Sequence, residues 1–469
     1  MKESCLKFIS LLLISLGFLV ACGEALPHLE EIRERGELRV LTRYGPSTYY
    51  VKGEELVGFE YELAKRFAEH LNVKLKIIVP DNLGDMLNLI EQGKADIAAA
   101  GLTVTPARKD IIRFGPVYQQ VTQQFVYRLG TKKPKNITHL ADGHLEVVAS
   151  SSHVEQLQSL QEEIPSLIWT ENTELDSSGL LELVQLELID YTIADSNEVA
   201  ANQIKFPELR VAFNISDPQP LAWAMPFSED GSLADAMAKF FDKMDESGDL
   251  SRLKEKYYGH IRHFDYLDTR AIDRRIQTRL PKYQTMFEQA GEKFDLDWRL
   301  LAAVSYQESH WDRHAVSPTG VKGLMMLTQS TAKLMNVANR EDPAQSIEGG
   351  AAYLASMIKR LPDDIVEPDR TWIALASYNV GLGHVEDARK LTESGGGNPD
   401  LWPDIKAHLP LLSKRKWYEK TRHGYARGGE PVHYVQNIRR YYDILLQQQA
   451  NIELNADANE EQNILPGAL

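Results

Sequence analysis

Cysteine is almost absent from this chain of 469 residues, and the two cysteines present are Cys5 and Cys22. Because both lie near the N-terminus, a disulfide framework that cross-links the body of the protein is excluded. The chain must therefore bury hydrophobic cores of its own, and its length allows roughly two or three domains.

Positive charge is also scarce, because 52 Lys and Arg stand against 67 Asp and Glu and the net charge is −15. Nucleic acid is a polyanion, so this balance excludes nucleic-acid binding as the function of the whole chain. The exception is the stretch from Lys414 to Arg440, which is rich in basic and aromatic residues. The end of the chain, residues 451–469, is acidic and poor in aromatic residues, and is predicted to form a disordered tail.

Long apolar runs are absent except at the start of the chain. The run from Phe8 to Ala21 follows the basic residues Lys2 and Lys7. At about 14 residues it is short for a membrane-spanning helix, which needs about 20, and it has the length of a signal-peptide core.

The apolar run ends in the sequence LVACG at residues 19–23. This resembles the cleavage site of bacterial lipoproteins, in which Cys22 becomes the lipidated first residue. We therefore expect a lipoprotein signal peptide at 1–21 and attachment to the membrane through an N-terminal lipid. The absence of Asp after Cys22 favours the periplasmic face of the outer membrane. An ordinary secreted protein with a chance cysteine and an uncleaved anchor are the alternatives.

The first half of the chain alternates short β-type runs with helical stretches. Residues 38–41, 74–79 and 95–100 have the pattern of strands, and residues 61–71 and 85–92 have that of amphipathic helices. This alternation predicts βαβ units and a largely parallel sheet.

Four segments of this half occur in an order that resembles the family 3 periplasmic solute-binding proteins of the amino-acid-binding type. They are GFEYELA at 58–64, LIEQGKAD at 89–96, TVTPAR at 103–108 and FGPVY at 114–118. The resemblance implies an α/β domain over 22–265 with two lobes, the second over about 130–206, and a ligand cleft between them.

The same resemblance implies a small ligand, such as an amino acid, a peptide or a muropeptide. Arg108 falls at the position that pairs with the ligand's α-carboxylate, which suits a planar guanidinium. Asp195 falls near the position that holds the α-amino group, and Thr103 belongs to the same ligand site. An exposed surface arginine and a turn or capping aspartate are the alternatives for Arg108 and Asp195.

The second half of the chain has an all-helical pattern. A charged helical connector over 266–282 leads to a domain over 283–450. Asp297 is a plausible N-cap. Leu300, Leu301, Val304 and Glu308 follow at helical spacing, and Gly381 is the expected end of a later helix.

Three separated blocks of this half resemble the family 1 lytic transglycosylases, which share the goose-type lysozyme fold. They are ESHWDRHAVSPTGVKGLMML at 308–327, ASYNVG at 376–381 and EPVHYV at 430–435. The whole chain is thus expected to be multidomain, with a two-lobed α/β domain resembling periplasmic binding proteins followed by a mainly α lysozyme-like domain. The implied substrate is the peptidoglycan glycan strand.

Cleaving a glycosidic bond needs a carboxylic acid that keeps its proton near neutral pH, which apolar surroundings provide. Glu308 ends an apolar helical run, with Trp311 one turn further on as a possible wall of the cleft. Asp312 is four residues from Glu308, but the resemblance implies one catalytic carboxylate and no nucleophile at that position. No cofactor is implied. The histidines lack metal-ligand spacing with a carboxylate, so a zinc amidase is rejected.

Further substrate-binding residues follow from the resemblance by position. Ser309 is expected to support Glu308 by a hydrogen bond. Gly323 is expected to shape the cleft floor, because a glycine lets the sugar approach the backbone closely. The other candidates are Leu324, Met325, Tyr378, Asn379, Glu430 and Tyr434. Two departures from the family pattern, Met326 and Pro431, put individual substrate contacts in doubt. The basic stretch from Lys414 is interpreted as the cleft rim, able to meet stem-peptide carboxylates, or as a solvated face.

Three functions are compatible with these motifs. The first is a lytic transglycosylase with a fused solute-binding domain that regulates it, acting as a monomer. The second is a solute-binding lipoprotein or sensor with a vestigial lysozyme-like domain, and the third is a hydrolysing lysozyme. The intact motif around Glu308 favours the first.

Overall fold

The computed structural model describes residues 26–52, 55–140, 143–203, 205–259, 266–317 and 320–464. The predicted signal segment with Cys22 lies outside them. The strands are β1 Glu37–Leu41, β2 Tyr50–Lys52, β3 Glu55–Val57, β4 Lys74–Ile78, β5 Ile97–Ala98, β6 Ile112–Val121, β7 Gln123–Arg128, β8 Leu145–Val148, β9 Thr170–Asn172, β10 Tyr191–Asp195, β11 Leu209–Asn214 and β12 Gln219–Pro226.

The α-helices alternate with these strands and then follow one another without strands. They are α1 His28–Arg35, α2 Phe59–Leu71, α3 Leu83–Glu91, α4 Pro106–Lys109, α5 Ser152–Glu163, α6 Ser177–Gln185, α7 Ser196–Asn202, α8 Ser232–Glu246, α9 Asp249–Tyr258, α10 Tyr266–Thr278, α11 Gln284–Phe294, α12 Trp298–Ser309, α13 Gln329–Leu334, α14 Pro343–Arg360, α15 Asp369–Val380, α16 Leu382–Ser394, α17 Trp402–His408, α18 Arg415–Tyr418 and α19 Gly429–Ile464. Short 3-10 turns lie at Ile137–Leu140, Leu280–Lys282 and Leu409–Ser413.

The first lobe is built on a five-stranded sheet in the order β4-β1-β5-β12-β6. Helix α2 forms because Leu63, Phe67 and Leu71 recur at a spacing of four, and all three are buried against this sheet. Phe67 packs on Trp223 and Phe240, so helices and sheet share one aromatic core. The helix predicted over 61–71 is confirmed.

The second lobe has its own five-stranded sheet, in the order β11-β7-β10-β8-β9, with a hydrophobic cluster on each face. In both lobes the prediction of a largely parallel sheet is wrong. The chain crosses between the lobes at β6–β7 and at β11–β12, and the crossing strands β7 and β12 pair antiparallel with their neighbours. Because β7 and β11 belong to the second sheet, this lobe extends beyond the predicted 130–206.

The helices from α10 onward pack around one continuous hydrophobic cluster. Helix α12 runs through it, with Leu301, Ala302 and Val304 at 0% exposure. The predicted connector is helical, as α10, but it is not a free linker. Ile272 is buried in the same cluster, and Arg275 Nη1 donates to the hydroxyl of Tyr306 at 2.9 Å.

Helix α19 continues to Ile464. The disordered tail predicted over residues 451–469 stays a prediction. Residues 465–469 lie outside the description. In the part of the chain that the structure describes, no helix has both the length and the apolar character needed to cross a bilayer.

Candidate active site

Helix α12 places Glu308 at its C-terminal end. Asp297 caps the start of the helix as predicted, accepting a hydrogen bond from the backbone N–H of Arg299 at 2.8 Å. The helix stops where His310 adopts a left-handed conformation with φ 52°. Most of α12 is buried, whereas Glu308 is only partly buried, so its carboxyl group lies where the core meets the surface.

Among the residues that the structure describes, the phenol of Tyr434 is the hydrogen-bond partner of the Glu308 carboxyl group. The Tyr434 hydroxyl donates to Oε1 of Glu308 at 2.6 Å. Burial raises the pKa of Glu308 to about 7, and the hydrogen bond from Tyr434 partly opposes that rise. Among the described residues no charged neighbour contributes to this pKa. Glu308 therefore holds its proton up to neutral pH, as a general acid must.

Two tyrosines form the wall beside Glu308. The rings of Tyr378 and Tyr434 are stacked with centroids 6.4 Å apart, and the hydroxyl of Tyr378 donates to the carbonyl of Met325 at 3.0 Å. Burial holds the pKa of each phenol well above 10, so both stay neutral. The acid thus faces neutral groups, which preserves its raised pKa.

The segment Gly323–Met325 is fixed to α12 through serine hydroxyls. The carbonyl of Leu324 accepts from Ser305 Oγ at 3.0 Å and from Ser309 Oγ at 2.9 Å. The predicted hydrogen bond from Ser309 to Glu308 is therefore not formed; Ser309 holds the backbone of Leu324 instead. The side chains of Leu324 and Met325 are fully buried, so this segment could meet a substrate only through its backbone.

Gly323 is required for a different reason from the predicted approach of a sugar. Its φ is +83°, and a Cβ added there would lie 1.8 Å from the carbonyl oxygen of Arg340. Trp311 also differs from expectation, because it is 1% exposed and its indole donates to the carbonyl of Ala302 at 2.9 Å. It belongs to the core rather than to the cleft wall.

The remaining predicted residues lie at the surface around the site. Asn379 is exposed in the last turn of α15. Glu430 pairs with Arg427 at 3.1 Å and stands one helical turn before Tyr434. Asp312 is exposed and accepts from the backbone N–H of His314 at 3.0 Å. Across the described ranges, no three His, Cys, Asp or Glu side chains gather in a metal-binding arrangement.

Comparison with known proteins matches both halves of the chain. Residues 38–260 match the bacterial extracellular solute-binding proteins of family 3, and residues 285–400 match the transglycosylase SLT domain. The chain is 50% identical over 423 residues to membrane-bound lytic murein transglycosylase F 1 of Alkalilimnicola ehrlichii, covering 90% of this chain and 86% of that protein. It is 48% identical over 448 residues to membrane-bound lytic murein transglycosylase F of Pseudomonas fluorescens, covering 95% of this chain and 92% of that protein.

The chain belongs to the membrane-bound lytic murein transglycosylase F family. Its fold therefore joins a solute-binding domain to a transglycosylase domain, as the sequence predicts. The chain is also similar to a solved structure, that of a cysteine-binding protein from Campylobacter jejuni, with 17% sequence identity and a TM-score of 0.45. The match covers 50% of this chain and 93% of the cysteine-binding protein.

The solute-binding domain brings Thr103, Arg108 and Asp195 to one cavity between its lobes. Arg108 is 4% exposed, and its guanidinium donates to the carbonyls of Thr103 at 3.2 Å and Ser150 at 3.1 Å. Asp195 lies 3.3 Å from Nε2 of His153. Arg108 is thus no exposed surface arginine, and the cation and the carboxylate stand in the same cleft.

The lobes of this domain are closed on each other. Arg43, from the first lobe, forms an ion pair with Glu198 on α7 of the second lobe. The cavity beside this pair has a volume of 20 Å³, which holds about one water molecule. An amino acid does not fit in this cavity.

Charged residues that the sequence analysis missed join the two domains. Glu255 on α9 pairs with Arg439 on α19 and, at 2.7 Å, with Lys406 on α17. Arg252 Nε donates to Asp369 Oδ2 at 2.6 Å. No sequence signal distinguishes these charges from those of any solvated helix face. Arg43 did have a signal, since it lies two residues after the end of strand β1.

Proposed function

We propose that this chain cleaves the β-1,4 bond between N-acetylmuramic acid and N-acetylglucosamine in murein without water, with Glu308 as the only catalytic acid and base. Membership of the lytic transglycosylase family supports the reaction class. The observation that carries the assignment is the geometry of Glu308, a partly buried carboxyl group with a pKa of about 7 and one neutral partner, Tyr434.

The reaction balances with one carboxyl group. Glu308 first gives its proton to the leaving oxygen of N-acetylglucosamine as the bond to C1 of muramic acid breaks. The substrate's 2-acetamido group stabilises the positive charge at C1. The Glu308 carboxylate then takes the proton of the C6 hydroxyl, whose oxygen bonds to C1 and closes a 1,6-anhydro ring. The acid is regenerated, and an intramolecular nucleophile provides a high effective concentration.

The surrounding residues are assigned supporting roles. Tyr434 orients Glu308, and Tyr378 with the backbone of Gly323, Leu324 and Met325 forms the wall and floor on which the sugar rests. Ser309 supports that floor through its hydrogen bond to Leu324. Asn379 and Glu430, both exposed beside the tyrosines, are proposed to contact the substrate's polar groups.

Digestion of purified sacculi tests this assignment. We expect the full chain to release products whose masses correspond to 1,6-anhydromuramic ends, and Glu308→Gln to release none. Glu288→Gln, an exposed glutamate on α11, is the matched control and retains the wild-type rate. Reducing ends in place of anhydro ends would reassign the domain as a hydrolysing lysozyme. Unchanged activity of Glu308→Gln would remove Glu308 from the mechanism.

For the solute-binding domain we propose a small ligand with a carboxylate, bound by Thr103, Arg108 and Asp195, that changes access to the transglycosylase site. The cavity between these residues and the ion pairs between the domains support this proposal. The intact surroundings of Glu308 argue against a sensor with a vestigial enzyme. Each amino acid, and a disaccharide tetrapeptide, is added to the full chain while its melting temperature and rate of sacculus digestion are measured. If every probe leaves both the melting temperature and the digestion rate unchanged, control of the enzyme by a ligand is contradicted.

We propose that Cys22 carries the lipid that attaches the mature protein, a monomer with domains over 22–265 and 283–450, to the periplasmic face of the outer membrane. Relatives named as membrane-bound support an envelope location. Labelling of cells with radioactive palmitate is expected to mark the wild type and the control Cys5→Ser, but not Cys22→Ser. Palmitate label on Cys22→Ser would contradict lipidation at Cys22. Recovery of the wild type in the inner-membrane fraction would contradict the outer-membrane location.

A further inference from the structure

Residues 414–427, here called the basic rim, differ in charge from the rest of the chain. They contain six Lys or Arg and one Glu, in a protein whose net charge is −15. The basic residues are Lys414, Arg415, Lys416, Lys420, Arg422 and Arg427. All six are exposed. The mechanism at Glu308 uses none of them.

The pairs that these side chains form are weak ones. Arg415 contacts Glu419 at 2.7 Å, and the two side chains are 81% and 54% exposed. The ammonium groups of Lys416 and Lys420 lie 5.6 and 6.0 Å from the ring centre of Trp417. Exposed ion pairs contribute little to stability, so an anionic partner can replace them at little cost.

The backbone of the basic rim is held rigidly, unlike that of an ordinary solvated loop. Asp387 on α16 is 1% exposed, and its two carboxylate oxygens accept from the backbone N–H groups of Arg422 at 3.1 Å and His423 at 2.7 Å. The N–H of Ala426 donates to the carbonyl of Leu412 at 3.1 Å. A buried carboxylate is thus used to fix the place where these charges are presented.

The basic rim connects the two structures that hold the tyrosines of the active site. It ends next to Gly429, where α19 begins, and Tyr434 follows in the second turn of that helix. The ring of His423 packs against Gly383, just after the end of the helix that carries Tyr378. The rim therefore lies next to the two segments that carry the stacked tyrosines Tyr378 and Tyr434.

We propose that the basic rim binds the carboxylates of the peptide stems that project from murein glycan strands, an inference that rests on the proposed function. In a stem-bearing strand the lactyl carboxylate of muramic acid is tied up in the amide bond to the stem, so the sugars are uncharged and the free carboxylates are those of the stem peptide. Guanidinium and ammonium groups recognise carboxylates, and the six cations are presented by a segment that adjoins the tyrosine-bearing helices. The rim thus makes strands with free stem carboxylates better substrates than strands whose stem carboxylates are blocked.

The test compares two substrates and two variants of the full chain. The substrates are sacculi with free stem carboxylates and blocked sacculi, in which carbodiimide coupling to methylamine has converted those carboxylates to neutral amides. The stems are blocked rather than removed, because an amidase would free the lactyl carboxylate of muramic acid. The first variant is Lys416→Gln with Lys420→Gln and Arg422→Gln. The control removes equal charge from an exposed part of the second lobe, as Lys132→Gln with Lys133→Gln and Lys135→Gln.

We expect the rim variant to lose about tenfold in kcat/KM on sacculi with free stem carboxylates, with no loss on blocked sacculi, and the control variant to lose nothing on either. Added salt should reduce the wild-type preference for sacculi with free stem carboxylates and leave the rim variant unaffected. An equal loss on both substrates, or no loss on either, overturns the proposal. Co-sedimentation with phosphatidylglycerol vesicles is measured as well. If the rim variant cleaves normally but no longer sediments with the vesicles, the proposal is overturned and the rim is assigned to a lipid surface. Failure of the wild type to form anhydro products from either substrate instead contradicts the proposed function itself.

Discussion

The hydroxyl of Tyr434 lies 2.6 Å from Oε1 of Glu308, although 126 residues separate the two positions in the chain. One residue ends the buried helix α12 and the other lies in the second turn of α19. The contact links the acid to the long helix that also carries Arg439, the partner of Glu255 in the solute-binding domain. The geometry at Glu308, the proposed catalytic acid, therefore depends on how α19 is held.

Tyr434→Phe should shift the pH dependence of the enzyme. In the wild type, kcat/KM should fall as the pH rises through about 7, because Glu308 loses the proton that it must donate. The hydrogen bond from Tyr434 lowers the pKa of Glu308, so its loss should move this alkaline limb upward by about one pH unit and slow the reaction. The control is Tyr378→Phe, which removes a bond to Met325 and should leave the limb in place. An unmoved limb in Tyr434→Phe contradicts the role given to this hydrogen bond.

Glu308→Gln should stabilise the protein at alkaline pH while it abolishes activity. The pKa of Glu308 is raised from 4.5 to about 7 by burial, so the folded state retains a proton that the unfolded state releases. The wild type therefore loses stability as the pH rises from about 4.5 to 7, by about 2–3 kcal/mol. Glutamine has no charge to bury, and its carbonyl can accept from Tyr434.

Thermal melts of Glu308→Gln and wild type at pH 4 and pH 8 measure this difference. The variant should melt several degrees higher at pH 8 and at the same temperature at pH 4. A difference of the same size at both pH values would show that ionisation of Glu308 is not its cause.

Glu255→Gln should destabilise the junction between the domains. Arg439 is 4% exposed, and without the carboxylate of Glu255 its charge is buried without a counter-charge. Breaking one side of a buried pair costs about 3–5 kcal/mol. Urea denaturation measures the loss. In the control, Glu182→Gln, the pair with Lys205 is 46% and 58% exposed, so the change should be below about 1 kcal/mol. Equal losses in the two variants would mean that the junction does not depend on Glu255.

Gly323→Ala should cost far more stability than Gly320→Ala. Both glycines have a positive φ, +83° and +79°, so an alanine at either position carries a conformational cost of about 1–2 kcal/mol. At Gly323 the new Cβ also meets the carbonyl of Arg340 at 1.8 Å, whereas nothing lies within 4 Å at Gly320. We expect an additional loss of about 2 kcal/mol or more at Gly323, measured by urea denaturation. Equal costs would show that the floor of the cleft can move away from Arg340.

Local patterns in the sequence predicted those features that depend on neighbours along the chain. The N-cap at Asp297 and the helix that ends near Glu308 follow from residue spacing, as does the helix that Gly381 terminates. Motif order predicted both domains and brought Thr103, Arg108 and Asp195 to one cleft. Each of these features is encoded within a short stretch or in an ordered series of such stretches.

Predictions failed where a side chain had a choice of distant partners. Ser309 donates to Leu324 rather than to Glu308, and Trp311 turns into the core. The sheets are mixed because strands that cross between the lobes return antiparallel, which the local alternation of strands and helices does not reveal.

The sequence by itself determined which residue is proposed as the acid, which helix carries it and which two kinds of domain are joined. Only the tertiary structure decided that burial raises the pKa of Glu308 to about 7 and that Tyr434 is its partner. It also decided that Glu255 joins the domains. The physical reason is that a pKa depends on how much water the folded chain removes from around the carboxyl group and on which polar groups replace it. Both are set by segments far apart in the sequence that meet only when the chain has folded.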